Sequence, residues 1–360
     1  MSIFKINHQS KNSGARTGIL KTDHGEINTP FFMPIATYGA VKTQSSKEIE
    51  NLPSDILLSN TYHLYIRPGT EILETAGGLH KFMNWNKIIL TDSGGYQVYS
   101  LEGLRKIDDD GVTFQSHLDG SKHRFTPETV VDIQRIIGSD IMMMLDVCPP
   151  GDANEKEWLN ALKLTTKWAK RAKNHFDNTE PLYKHKQIIS PIVQGGTNLN
   201  LREQSASELM ELNCEMYAIG GLAVGEPKAE MLKVVNYMDS ILPKNKPRYL
   251  MGVGTPSDLI ESILNGVDMF DCVIPTRNAR NGQLFNFDGK INIRNAKYRD
   301  DFSPIDENNF SSISNQYSKS YLHHLFKTNE ILGLRIATEH NLKFYIHLMN
   351  IIKEKIKIDK

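Results

Sequence analysis

Eight short apolar runs, separated by polar or helical stretches, constrain this chain more than any other feature. They occupy residues 31–35, 55–59, 88–91, 141–145, 188–193, 217–219, 248–251 and 269–274. The runs are rich in β-branched residues and continuous, not alternating. A parallel sheet buried on both faces requires that pattern. Residues 126–137, 154–175, 199–212, 228–241 and 256–265 read as helices between the runs. Thr126-Pro127 is a good helix start, with the hydroxyl as N-cap and the proline in the first turn. Eight strands with crossover helices read most simply as an α/β fold, a (β/α)8 barrel of the TIM type. A doubly wound sheet is the alternative, because closure is not visible in a sequence.

The pattern changes after about residue 290. Residues 297–317 are polar and loop-like, and 320–348 read as helices with apolar residues three and four apart. The division is therefore a barrel over 1–290 and a C-terminal loop-plus-helix subdomain over 291–360. The basic tail, 353–360, reads as a solvated helix end. Apolar content of 39% and charged content of 23% exclude a disordered chain. No apolar run is long enough to span a bilayer, and the start lacks a secretion signal. Three scattered cysteines fit a reducing cytoplasm. Formal net charge is zero, so any nucleic-acid contact must use a local basic patch.

Polar residues and glycines cluster at the C-terminal ends of the runs: Asn60, Asp92, Asp146, Gln194, Gly220-Gly221, Gly252 and Asp271. Barrel active sites are built on that face. The plainer reading is that such residues simply stop strands. It is preferred for Asn60, but it explains three acids and a glutamine at equivalent positions poorly.

Asp271 lies in an apolar run, and carboxylates are rarely buried without a partner or a job. Pro275 is expected to end that strand. A polar loop with Arg277 and Arg280 is expected next, able to grip phosphate. In Asp92-Ser93-Gly94-Gly95-Tyr96 the tight turn lets a ligand approach the backbone, though an ordinary turn is an even alternative. Tyr96 offers a face for stacking a base; its alternative is plain packing. The methionines before Asp146 read as core filler. Asp146 has no basic neighbour in sequence, and a carboxylate can accept two hydrogen bonds from a guanine-like edge. Gln194 can donate to a carbonyl, and Gly220-Gly221 supply backbone groups where no side chain intervenes. Two carboxylates on one barrel mouth suit a retaining exchange at a glycosidic carbon, one as nucleophile and one moving protons.

These motifs resemble the bacterial tRNA-guanine transglycosylase (queuine tRNA-ribosyltransferase) family from about Gly18 to Tyr345. The anchors begin at Asn60, Thr91, His117, Val193, Ile219, Tyr249 and Phe270. The resemblance implies a (β/α)8 barrel that replaces guanine 34 of G-U-N anticodon tRNAs with a 7-deazaguanine in queuosine biosynthesis. By that resemblance Asp271 is the nucleophile at ribose C1′, and Asp92 is the proton acceptor that also touches the base. Ser93, Gly94, Gly95, Tyr96, Asp146, Gln194, Gly221 and Leu222 would hold the base. Gly252, Val253, Gly254, Thr255, Pro256, Ser257 and Asp258 would meet the anticodon loop, with Thr276, Arg277, Asn278, Ala279 and Arg280. A cytoplasmic homodimer is implied.

The family's structural zinc, on three cysteines and a histidine, is not expected here. Asn309, Ser311 and Ser314 stand at the cysteine positions and only His340 remains, expected as a packed or capping histidine. Val224 beside the base goes with preQ1 in the family, and Glu226 is expected to help hold its aminomethyl cation; queuine is the alternative base. Rival functions are a nucleoside hydrolase, a transglycosylase acting on DNA or another tRNA site, and a tRNA-binding subunit without catalysis. Retention of both Asp92 and Asp271 argues against the last.

Overall fold

Ile88–Thr91 is buried at all four positions and pairs in parallel with a strand on each side. Its neighbours have the same character, and the chain is a mixed α/β protein. The computed structural model describes residues 2–52, 54–101, 103–307 and 312–359. Among them, one parallel sheet runs in the order Ile188–Ser190, Ile141–Met143, Ile88–Thr91, Ile56–Ser59. A second runs Ile192–Val193, Tyr217–Ile219, Arg248–Leu250, Met269–Asp271, Phe31–Met33.

The two sheets adjoin at both ends. Pro191 alone separates Ser190 from Ile192, because proline has no N–H to give a ladder. Its carbonyl still accepts from the Ala218 amide at 3.0 Å. On the other side Ile35 makes a parallel bridge to Leu58. Alternate strand residues, among them Met33, Ile56, Leu58, Ile88, Leu90, Ile141, Met143, Ala218, Tyr249 and Met269, pack in one shared cluster. Their neighbours Leu57, Ile89, Met142, Ile219, Leu250 and Phe270 face the helices instead. This split is the period-two alternation of a strand with apolar layers on both sides.

The polar loop expected after Pro275 is a helix, Ile274–Arg280, and the strand before it ends at Asp271. Proline in a first helical turn loses no hydrogen bond and is preset in φ. Pro275 therefore starts a helix where a strand stop was expected. The other helices follow expectation closely: Pro127–Ile137 with Thr126 as N-cap, Glu155–Asp177, Leu199–Met210, Lys228–Ile241 and Pro256–Leu264.

Two antiparallel sheets are additions. Phe4–Gln9, Arg16–Thr22 and Gly25–Thr29 form one. It covers the N-terminal end of the parallel strands, where buried Arg16 meets buried Asp268 at 2.6 Å. Arg105–Asp108, Gly111–Gln115 and Lys122–Phe125 form the other.

A fourth apolar cluster joins Ala279, Leu284, Ile293, Leu322, Phe326 and Ile336. It gathers the hairpin Gln283–Asn286/Gly289–Asn292 with the helices Lys319–Lys327 and Ile331–Lys357. The long last helix also packs Phe344, Tyr345 and Leu348 against the strand residues Phe32 and Phe270. The expected loop over 297–317 contains the short helices Ala296–Tyr298 and Ser312–Gln316. Among the described residues, no helix is long and apolar enough to cross a membrane.

Candidate active site

A cavity of about 460 Å³ opens over the C-terminal ends of the parallel strands, lined by Asn60, Asp92, Asp146, Gly221, Tyr249 and Asp271 among others. Asp92 follows the strand Ile88–Thr91 directly. Its Oδ1 accepts from the Thr61 amide at 2.9 Å and the Gly94 amide at 3.2 Å, and its Oδ2 accepts from the Asn60 side chain. Burial pushes Asp92 up to about 6 against those hydrogen bonds, and the charge of Asp271 pushes the same way. Asn60 is thus more than a residue that ends a strand: it holds a buried carboxylate.

Asp271 ends its strand beside Arg248–Leu250. Oδ1 accepts from the Tyr249 hydroxyl at 2.7 Å and the Gly252 amide at 2.8 Å. Burial raises Asp271 above its ordinary value, and these two donors oppose the rise. Tyr249 is pushed well above its ordinary value, first by burial and then by the Asp271 charge, so it remains a donor. Two thiols also line the cavity. Burial pushes Cys148 up to about 12 and Cys272 up to about 11, so both stay protonated and unreactive at neutral pH.

Asp146 accepts from the Ser93 hydroxyl and from Gln194 Nε2, both at 2.8 Å. Burial raises it above its ordinary value. Gln194 does not line the cavity: it is buried behind Asp146, and its Oε1 has no hydrogen-bond partner. Gly95 must be glycine, because a Cβ there would lie 2.6 Å from the Asp146 carbonyl oxygen. Gly221 sits at φ +62°, and a Cβ would lie 2.3 Å from Gln194 Oε1. Ser93, Tyr96, Leu222 and Val224 line the cavity, and Tyr96 is 57% exposed. Glu226 does not line it; its carboxylate instead accepts from the Ala223 and Val224 amides.

The expected RNA contacts divide by exposure. Gly252, Ser257 and Arg277 are exposed, and Arg277 also lines the cavity. Val253, Gly254, Thr276 and Ala279 are buried. Asp258 is tied to Lys228 at 2.8 Å and to Thr255 Oγ1 at 2.5 Å. Arg280 donates to the Thr276 carbonyl at 2.9 Å. His63 lines the cavity and is held below its ordinary value by burial; sequence reading did not single it out.

Among the described residues, no ligand-like cluster forms around His340. Asn309 and Ser311 lie outside the described residues, as does the side chain of Ser314. The three cysteines are buried elsewhere. His340 is fully buried, with Nε2 2.9 Å from the Phe285 carbonyl oxygen, so that nitrogen carries its hydrogen. Burial pushes His340 down to about 4. Among the described residues, one group has ligand-like spacing, His24, His80 and Asp140. It sits at the opposite end of the strands. His80 Nε2 faces the Lys87 carbonyl at 3.0 Å and so carries a hydrogen on that nitrogen, and His24 stacks on His80 at 3.9 Å. Asp140 bonds His24 at 2.7 Å and the Ile89 amide at 2.9 Å. This is a hydrogen-bonded ion-pair network with its donors already committed.

A family model described as queuine tRNA-ribosyltransferase matches residues 10–360. A queuine tRNA-ribosyltransferase of Thermoanaerobacter sp. (strain X514) is 52% identical over 357 residues, covering 99% of this chain and 94% of the relative. One of Halothermothrix orenii (strain H 168 / OCM 544 / DSM 9562) is 48% identical over 360 residues, covering 100% of this chain and 95% of the relative.

Proposed function

The chain belongs to the queuine tRNA-ribosyltransferase family, and from that premise we propose a tRNA-guanine transglycosylase that replaces guanine 34 of G-U-N anticodon tRNAs with a 7-deazaguanine. The observation that carries this reading is the cavity on which Asp92, Asp146 and Asp271 converge, each carboxylate already held by hydrogen bonds.

The reaction is a double displacement. A carboxylate oxygen of Asp271 bonds to ribose C1′ as the bond from C1′ to N9 breaks, its electron pair leaving with guanine. Asp92 gives the departing base a proton. The incoming base then returns a proton from N9–H to Asp92 while N9 bonds to C1′ and the Asp271 ester breaks. Configuration at C1′ is retained, and no external acid or base is consumed. A value near 6 suits Asp92 to both directions of proton transfer at neutral pH.

Asp146 accepts from the N1–H and 2-amino edge of the base, the Gly221 amide donates to its carbonyl, and Tyr96 stacks on it. Gln194 acts through Asp146. Arg277 is the exposed cation for the anticodon-loop backbone. The small base preQ1 is favoured because a valine, Val224, lines the cavity and leaves less room than a glycine there would. The chemistry needs no metal, and the reading includes no structural zinc.

The two adjoining parallel sheets, with one shared interior cluster, support a closed eight-stranded barrel. We take the C-terminal subdomain, residues 291–360, to pack on the barrel of residues 1–290, which the fourth cluster supports. We take the enzyme to be a cytoplasmic homodimer. The test is incorporation of labelled guanine into a G-U-N tRNA against a G34→A control. Incorporation into the first alone is expected, and none into either refutes the reading. Competition by free preQ1 and queuine identifies the base; queuine winning by a wide margin removes the preQ1 assignment.

A further inference from the structure

Arg202 is fully buried, and among the described residues no carboxylate pairs with it. An uncompensated interior cation is costly, so its partners merit attention. They are all backbone carbonyls. Nε donates to Gly196 at 2.7 Å. One terminal nitrogen donates to Val193 at 2.8 Å and to Gly220 at 2.7 Å, and the other to Gly221 at 3.2 Å. These carbonyls belong to two successive strand ends, the turns that carry Gln194 and Gly221.

A planar trans peptide points its C=O and N–H in opposite directions. With the Gly220 carbonyl fixed on Arg202, the Gly221 N–H must point away from it. Gly220, Gly221 and Cys148 all line the cavity, so the freed amide has the ligand space beside it. Gly221 lies in the left-handed region and has no side chain to fix its peptide orientation. The restraint therefore has to come from outside the turn, and the forked guanidinium reaches both of its carbonyls at once.

We propose that Arg202 is a positioning residue: its guanidinium fixes the Gly220 and Gly221 peptides so that the Gly221 amide is aimed at the carbonyl of the bound purine-type base. The proposal rests on the transglycosylase reading. It adds a residue that never touches the substrate but sets the affinity for it.

The test compares wild type with Arg202→Lys, which keeps a charge but lacks the planar fork. Guanine incorporation by the wild type comes first, and its absence would remove the functional reading and this proposal together. With exchange present, KM for guanine in Arg202→Lys should rise about tenfold or more, the cost of losing one well-aimed hydrogen bond. The kcat and the KM for tRNA should change little. A merely structural arginine would instead lower kcat through a smaller active fraction, at unchanged KM for guanine, and that result overturns the proposal. A second measurement needs no variant. 6-Thioguanine keeps the N1–H and 2-amino edge but puts a weakly accepting sulfur in place of the carbonyl oxygen, and it should compete with labelled guanine at the wild-type enzyme at least about tenfold more weakly than unlabelled guanine does. Equal competition would mean that no amide contact exists to be positioned.

Discussion

The Tyr249 hydroxyl donates to Asp271 Oδ1 across 2.7 Å, between neighbouring parallel strands. The Gly252 amide reaches the same oxygen at 2.8 Å. Oδ2 has no hydrogen bond among the described residues, which leaves it as the oxygen available to attack. Asp271→Asn should lower guanine exchange by at least about a thousandfold with folding retained. Tyr249→Phe removes a donor that holds Asp271 down, so the acidic limb of kcat/KM should move to higher pH. Its kcat should fall about tenfold. Unchanged profiles would remove Tyr249 from the mechanism.

Exchange should decline as pH rises through about 6, where Asp92 loses the proton it gives to the departing base. The Asn60 hydrogen bond lowers Asp92, so Asn60→Ala should move that decline to higher pH. Stability runs the same way. A carboxyl raised on folding contributes stability that is fully present below its unfolded value and lost as pH rises through about 6. Chemical denaturation from about pH 4 to about pH 7 would read this contribution as the difference between wild type and Asp92→Asn.

Gly95→Ala places a methyl 2.6 Å from the Asp146 carbonyl oxygen and 2.7 Å from its Oδ1. The base-holding carboxylate must shift. KM for guanine should rise about tenfold, while kcat should change less. Equal KM values for variant and wild type would show that Asp146 does not hold the base.

Metal analysis of native protein should find well below about one zinc per chain, and a chelator should leave the melting temperature unchanged. Stoichiometric zinc would refute the reading of His340 as a packed histidine.

Continuous apolar runs made the parallel strands legible, and the helix Lys228–Ile241 matches its expected bounds. The added antiparallel sheets were not legible for the opposite reason. Lys122–Phe125 is three polar residues and one apolar one, and its pairing partners, not its composition, make it a strand. Pro275 was misread because proline marks a strand end and a helix start equally well. Asp92, Asp146 and Asp271 stood out as acids at strand ends. Their pairings did not: Asn60, Tyr249 and Gln194 reach them from 32, 22 and 48 residues away. Arg202 was hidden inside an ordinary helical stretch, since nothing in a sequence reveals that a cation will face carbonyls.

Between Asp271, the last residue of its strand, and the helix Ile274–Arg280 lie only Cys272 and Val273. On the proposed mechanism, the attacking oxygen and the exposed guanidinium of Arg277 are therefore two marks on one short stiff ruler. A polynucleotide held by its backbone at one mark has its sugar gauged against the other. One residue inserted at Val273 would turn the helix by about 100° and take the cation out of line. It would ruin the gauge while leaving every reacting group intact.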